Sequence, residues 1–171
     1  VIPVPFKASP RAVALIASFE NFSATAYLCP AGKLTIGWGH VILKREPHLN
    51  KATLTRAQAD ALLASDIALV EIYLNGVLPD WIQQHHFDAL VSLVFNIGIG
   101  NFDSSTLRKL LKAGQRNQAA GEFPKWVYSK GVRLWGLHIR RICERLMYLG
   151  MTDAAIGNER ARLQTLTVRD W

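Results

Sequence analysis

Apolar residues recur at helical spacing along most of the chain, and the pattern breaks to a shorter period in one stretch only. Ser9-Pro10 supplies a cap and a first-turn proline. Val13, Ile16 and Ala17, with Glu20 near the end, predict a short helix over residues 11–21, after an irregular arm over 1–10. Between Ser23 and Leu49 the residues Tyr27, Leu28, Leu34, Thr35, Ile36 and Trp38 suit short strands. Pro30, Gly32, Gly37 and Gly39 punctuate them, so this stretch reads as a β region of roughly three strands.

Helical spacing then returns. Ala59, Leu62, Leu63, Ile67 and Val70 predict a helix over 55–73 that Thr55 can cap. The dense apolar run Phe87, Leu90, Val91, Val94 and Phe95 predicts a central buried helix over 81–96, closed by Gly98 and Gly100. Further helices are expected from Ser104 or Ser105 to Gly114, over 117–126, over 134–149, and more weakly over 152–166. No repeat or linker divides the chain. The expected fold class is α+β in one domain over 1–171, with a small β lobe over 23–50, a larger helical lobe over 55–171 and a cleft between them.

Composition narrows the function classes. The 171 residues are 50% hydrophobic, with 20 Lys plus Arg against 13 Asp plus Glu, a net charge of +7. Wholesale disorder, coiled coil and collagen are excluded. No run of apolar residues is long enough to span a membrane. The positive charge draws the chain toward polyanions. The basic residues form no tract and no zinc-finger spacing exists, so specific nucleic-acid binding is not expected and transient attraction to anionic surfaces is. Val1–Phe6 is apolar but too short for a signal peptide, so any export signal would lie upstream. A monomer is expected.

Glu20 stands where the first helix gives way to β structure. Taken alone, a carboxylate at a helix C-terminus is slightly unfavourable and otherwise ordinary. Ala14, Leu15, Phe19 and Phe22 could make its surroundings dry. A buried carboxyl keeps its proton and can donate it, as glycoside hydrolysis requires of its acid.

At this point the residues carry a resemblance. Phe19-Glu20-Asn21-Phe22, Ala26-Tyr27, Gly32 and Thr35-Ile36-Gly37-Trp38-Gly39-His40 are followed by Leu54-Thr55, Asp66, Phe87-Asp88-Ala89-Leu90-Val91-Ser92 and Phe95-Asn96-Ile97-Gly98. Phe102, Ser105-Thr106-Leu107, Phe123, Trp126, Gly136-Leu137, Arg140-Arg141 and Glu144 complete the series. From about Ala12 to Leu149 the sequence resembles the phage-type lysozymes, or endolysins. The resemblance implies a lysozyme-like fold and a muramidase that cuts the β-1,4 bond after N-acetylmuramic acid in bacterial peptidoglycan. It also implies host lysis from the periplasmic side after synthesis in the host cytoplasm. Glu20 would be the general acid and Thr35 would position a water. No cofactor is implied.

One position departs from the family. Its second acid, nine residues after the Glu, is Cys29 here, although a subset of phage-type lysozymes resembles this chain in carrying Cys-Pro-Ala-Gly. Three readings follow. Cys29 and Thr35 together orient the water, the thiol or thiolate adding polarity. Or Cys29 is a spacer, and Glu20 with Thr35 carries a slower reaction. Or no water is used, and a lytic transglycosylase forms 1,6-anhydro ends with Glu20 and the sugar's own hydroxyl. A basic protein that disrupts walls or membranes without cutting glycan is the non-enzymatic rival. Cys143, among Ile139, Ile142 and Leu146, reads as a buried small hydrophobe, and a Cys29–Cys143 disulfide is the alternative.

Other residues take supporting places. Asn96 resembles a sugar-contacting position. Trp38, Phe95 and Trp126 are candidate cleft walls, with core burial the competing reading for Phe95 and Trp126. His40 lacks the paired spacing of a metal ligand. The family resemblance makes it structural, paired with Asp66, and such a pair is expected to make the fold acid-sensitive. Arg140 and Glu144 have helix-pair spacing. The resemblance brings either Arg140 or Arg141 to Glu20. Lys44, Arg45, Lys109, Lys112, Arg133, Arg160 and Arg162 read as surface charge.

Overall fold

A computed structural model describes residues 4–29 and 32–166. The first three residues of the expected arm, Pro30 as strand punctuation, and residues 167–171 of the expected domain lie outside them. Helix α1 (Pro10–Phe19) leads into strands β1 (Ser23–Leu28), β2 (Leu34–Gly37) and β3 (His40–Val41). Helices α2 (Arg56–Val77), α3 (Gln84–Ile97), α4 (Ile99–Asp103), α5 (Thr106–Lys112) and α6 (Arg116–Glu122) follow. A hairpin of β4 (Tyr128–Ser129) and β5 (Val132–Arg133) precedes α7 (Trp135–Tyr148) and α8 (Asp153–Thr165). No helix among the described residues is long and apolar enough to cross a membrane.

Every residue of α3 from His86 to Val94 is buried. That explains why its sequence is apolar nearly all round rather than striped. It packs most extensively on α7 and also on α1 and α2. The main core therefore gathers Ile16 of α1, Leu74 of α2, Phe87, Leu90 and Val91 of α3, and Ile139, Cys143 and Met147 of α7. The β lobe has a separate small core of Ile36, Leu49, Leu54 and Ala59.

Strands β1, β2 and β3 form one antiparallel sheet in that order. Gly37 (φ +66°) and Gly39 (φ +88°) flank Trp38 in the turn between β2 and β3. A side chain at Gly37 would press on Ala59 of α2 at 3.2 Å, so the missing Cβ lets the sheet dock on α2.

Some details depart from the sequence expectation. Thr55 caps α2 through a reciprocal bond with Gln58, but Ser9 does not cap α1. Its N–H and hydroxyl both donate to Asp88 of α3, so it ties the start of α1 to the central helix. Ala8 N–H and Lys7 Nζ reach the Glu71 carboxylate at 2.7 and 2.8 Å. Cys29 and Cys143 are not disulfide-bonded to each other. Cys143 is fully buried, and burial pushes its thiol up to about 11, in keeping with the small-hydrophobe reading.

Candidate active site

Glu20 is the first residue beyond α1. Its N–H still donates to Ile16 O at 3.2 Å, while its own backbone has turned extended (φ −94°, ψ 138°). That change of direction swings the carboxyl out of the helix toward the sheet. Oε1 accepts from Arg140 Nη1 at 2.7 Å. Oε2 lies 3.1 Å from where a Cβ on Gly39 would stand. A side chain at Gly39 would therefore press on the carboxyl and oblige it to shift by a few tenths of an ångström, and the positive φ is a second reason for glycine.

The carboxyl is not in the dry apolar pocket expected from sequence. Its side chain keeps 20% of its exposure and sits in an ion pair. Leu15 is buried, and Phe19 and Phe22 are half-buried, but Ala14 is exposed and lines a different concavity between α1 and α2, with Ala17, Leu63, Ala64 and Ile67.

The two arginines divide their work. Arg140 takes Glu20, and its Nε donates to Glu144 Oε1 at 3.1 Å. Arg141, fully buried, donates from Nη2 to Asn96 Oδ1 at 3.0 Å and to Glu144 Oε1 at 3.1 Å. Its Nε lies 2.9 Å from Glu144 Oε2, an ion-pair distance at an angle short of a hydrogen bond, and Nη1 has no protein acceptor among the described residues. Burial pulls the Arg141 guanidinium down to about 10, against the upward pull of Glu144. Ser92 Oγ donates to Glu144 Oε1 at 2.7 Å. What the i,i+4 spacing presented as an ordinary helix pair is thus part of a buried network of four side chains beside Glu20.

Thr35 is buried on β2. Its hydroxyl donates to Lys33 O at 3.1 Å. That spends its one proton and leaves lone pairs, so toward a water it can only accept, not both accept and donate as expected from sequence. Thr35 faces Tyr27 across the β1–β2 ladder, and such partners share a face of the sheet. Cys29, one residue beyond β1, donates its N–H to Lys33 O at 2.9 Å. Cys29 is half-buried.

From sequence Tyr27 reads as a strand former and as part of the family resemblance, with no place among the site residues. Its phenol is nevertheless held above the usual tyrosine range, by desolvation first and then by the charges of Cys29 and Glu20. Tyr27 thus feels both Cys29 and Glu20, and the β1–β2 ladder sets it opposite Thr35. The period-two spacing of Tyr27 and Cys29 was the available signal.

The remaining candidates sit further out. Trp38 Nε1 donates to Asp60 at 2.7 Å, and the Arg56 guanidinium lies 4.8 Å from its ring and 4.6 Å from that of Phe22. Its polar handle is thus spent on α2 rather than left for a ligand. Phe95 and Trp126 are half-buried against the main core. Asn96 is exposed, with its side-chain oxygen oriented by Arg141. Among the described residues no three His, Cys, Asp or Glu side chains gather into a metal-ligand set.

His40 is buried between two carboxylates, not one. Nδ1 lies 2.8 Å from Asp66 and Nε2 lies 3.1 Å from Glu46, which sequence reasoning missed. Burial lowers its pKa, but the hydrogen bonds and charges of Asp66 and Glu46 outweigh that and leave it raised. A raised histidine stabilises the fold fully below its unfolded value of about 6.5, and that contribution is lost as pH rises through the folded value. The acid-sensitive part comes from Glu46, lowered chiefly by the Leu43 N–H and then by His40. The expected acid sensitivity is thus corrected in sign for the histidine itself. Urea midpoints measured at pH 6 and pH 8 should fall more between the two for the native chain than for His40→Asn. Equal falls would remove His40 from the account.

Comparison with known proteins places these features. The family model described as phage lysozyme matches residues 17–144. An endolysin of Acyrthosiphon pisum secondary endosymbiont phage 1 is 39% identical over 145 residues, covering 82% of this chain and 96% of the relative. The endolysin of Bacillus phage PZA is 37% identical over 82% of this chain, which spans 54% of that longer protein. Among solved structures, the muramidase domain of SpmX from Asticaccaulis excentricus superposes with a TM-score of 0.74 at 35% identity, covering 84% of this chain and 97% of that one.

Proposed function

Because the chain belongs to the phage lysozyme family, we propose that it is an N-acetylmuramidase, cleaving the β-1,4 bond between N-acetylmuramic acid and N-acetylglucosamine, with Glu20 as the general acid. A peptidoglycan-lytic, lysozyme-type enzyme follows from the family. The bond and the residue roles are the further step. The observation that carries it is the fixed Glu20 carboxyl: Arg140 holds Oε1, while Oε2 faces the Trp38-Gly39 turn of the sheet that carries Thr35.

In this reading the oxygen facing the sheet donates its proton to the leaving glycosidic oxygen as the bond to the anomeric carbon breaks. Thr35 accepts a hydrogen bond from a water whose oxygen then bonds to that carbon. Cys29 adds polarity where a second carboxylate would otherwise stand. A neutral thiol is a weak acceptor, so the water is oriented rather than deprotonated, and the proton it sheds once its oxygen has bonded to the carbon passes to solvent, from which Glu20 recovers its own. The reaction takes place at the bacterial wall, and its result is lysis of the host cell.

The replacement of that second carboxylate by Cys29 favours one rival, a transglycosylase that needs a single acid. Mass spectrometry of the muropeptides released in ¹⁸O-water separates the two. Hydrolysis predicts reducing N-acetylmuramic acid ends carrying one ¹⁸O. Unlabelled 1,6-anhydro ends would replace the hydrolase with a transglycosylase.

A further inference from the structure

The last turn of α1 carries no basic residue, although its terminal carbonyls form the negative end of the helix dipole. A cation reaches it from the far end of the chain. Arg160 of α8 donates from Nη1 to Ser18 Oγ at 2.7 Å and from Nη2 to the Ser18 carbonyl oxygen at 3.0 Å. Ser18 Oγ donates in turn to Leu15 O at 2.7 Å. The same guanidinium lies 4.2 Å from the centroid of the Phe19 ring, and that of Arg140 lies 5.6 Å from it. Ser18 and Phe19 are the two residues immediately before Glu20. Sequence reasoning put Arg160 on the surface; the structure puts it against the two residues before the acid.

We propose that Arg160 is a positioning residue for Glu20, locking the last turn of α1 so that the carboxyl leaves the helix in one direction. The proposal rests on the reading of Glu20 as the acid. Arg140 fixes one carboxyl oxygen, and Arg160 fixes the backbone and the ring that precede it. Its planar fork spans a carbonyl and a hydroxyl while stacking on an aromatic, which a lysine ammonium cannot do at once. Without it the last turn of a ten-residue helix is free to fray, and the carboxyl can swing about its Arg140 contact.

A second contact between the same two helices supplies the control. Arg11, at the start of α1, donates to Asp153 Oδ1 and to Met151 O, both at 2.8 Å, at the start of α8. It braces the same seam at the end remote from Glu20. Kinetics on soluble peptidoglycan fragments, run below the lowest unfolding midpoint of the set, test the idea. Arg160→Ala should lower kcat about tenfold with KM unchanged, a misplacement effect rather than a binding one. Arg160→Lys should recover part of the loss. Arg11→Ala should lower the unfolding midpoint and leave kcat alone. If Arg160→Ala behaves like Arg11→Ala, with full kcat, Arg160 is structural and the proposal falls. If Glu20→Gln keeps activity in the same assay, the reading of the acid falls instead, whatever Arg160 does.

Discussion

Glu20→Gln is expected to lower the rate of glycan cleavage by about a thousandfold, the range lost when a positioned general acid is removed. The substitution isolates proton donation. A glutamine has the same shape, its amide oxygen can still accept from Arg140 Nη1, and Arg140 keeps Glu144 as its second anionic partner. Packing against Gly39 is also preserved. The unfolding midpoint should therefore stay near native while turbidity loss of permeabilised Gram-negative cells stops. Retained lysis would point instead to a basic protein that breaches the wall without cutting it, an idea that the net charge of +7 alone allows.

Glu144→Leu should produce the largest loss of stability, about 3–5 kcal/mol, because removing one partner of a buried ion pair strands the other. Glu144 is completely buried and accepts from Ser92, Arg140 and Arg141. Arg140 would retain Glu20. Arg141, fully buried, would keep only the Asn96 amide oxygen. Urea unfolding measures the effect, and the Glu159–Arg162 pair of α8 sets the scale: Arg162 is 59% exposed there, so Glu159→Ala should leave the midpoint close to native. A Glu144→Leu loss no larger than that would mean that the network contributes shape rather than charge balance.

These contrasts mark where sequence reasoning reached and where it stopped. The dense apolar run in α3, the Thr55 cap and the strands around Tyr27 and Thr35-Ile36 are local signals, and each became the element expected, whereas Trp38, read as a strand residue, falls in the turn between β2 and β3 because both glycines beside it take positive φ. Helix α4 was hidden because Gly98 and Gly100 read as stops, whereas Gly98 (φ +86°) ends α3 and at once begins a new helix in another direction. The hairpin β4–β5 was hidden because its turn, Lys130-Gly131, takes positive φ at both residues (50° and 77°). A lysine seldom accepts that where Asn or Asp would advertise it. In the site, Glu20 and its neighbours in sequence were legible. Which arginine reached it, and the burial of Glu144, were not, since both depend on how α7 rotates against α3. Glu46 and Arg160 escaped because a single charged residue in a polar stretch looks alike whether solvated or clamped.

The contact between Glu20 and Arg140 spans 120 positions of the chain. During synthesis the acid therefore emerges from the ribosome long before the guanidinium that orients it. Domains fold as units while the chain lengthens, and here the Glu20–Arg140 contact closes only when α7 is delivered. Polypeptides released before residue 140 would leave the Glu20 carboxyl without the guanidinium that holds it.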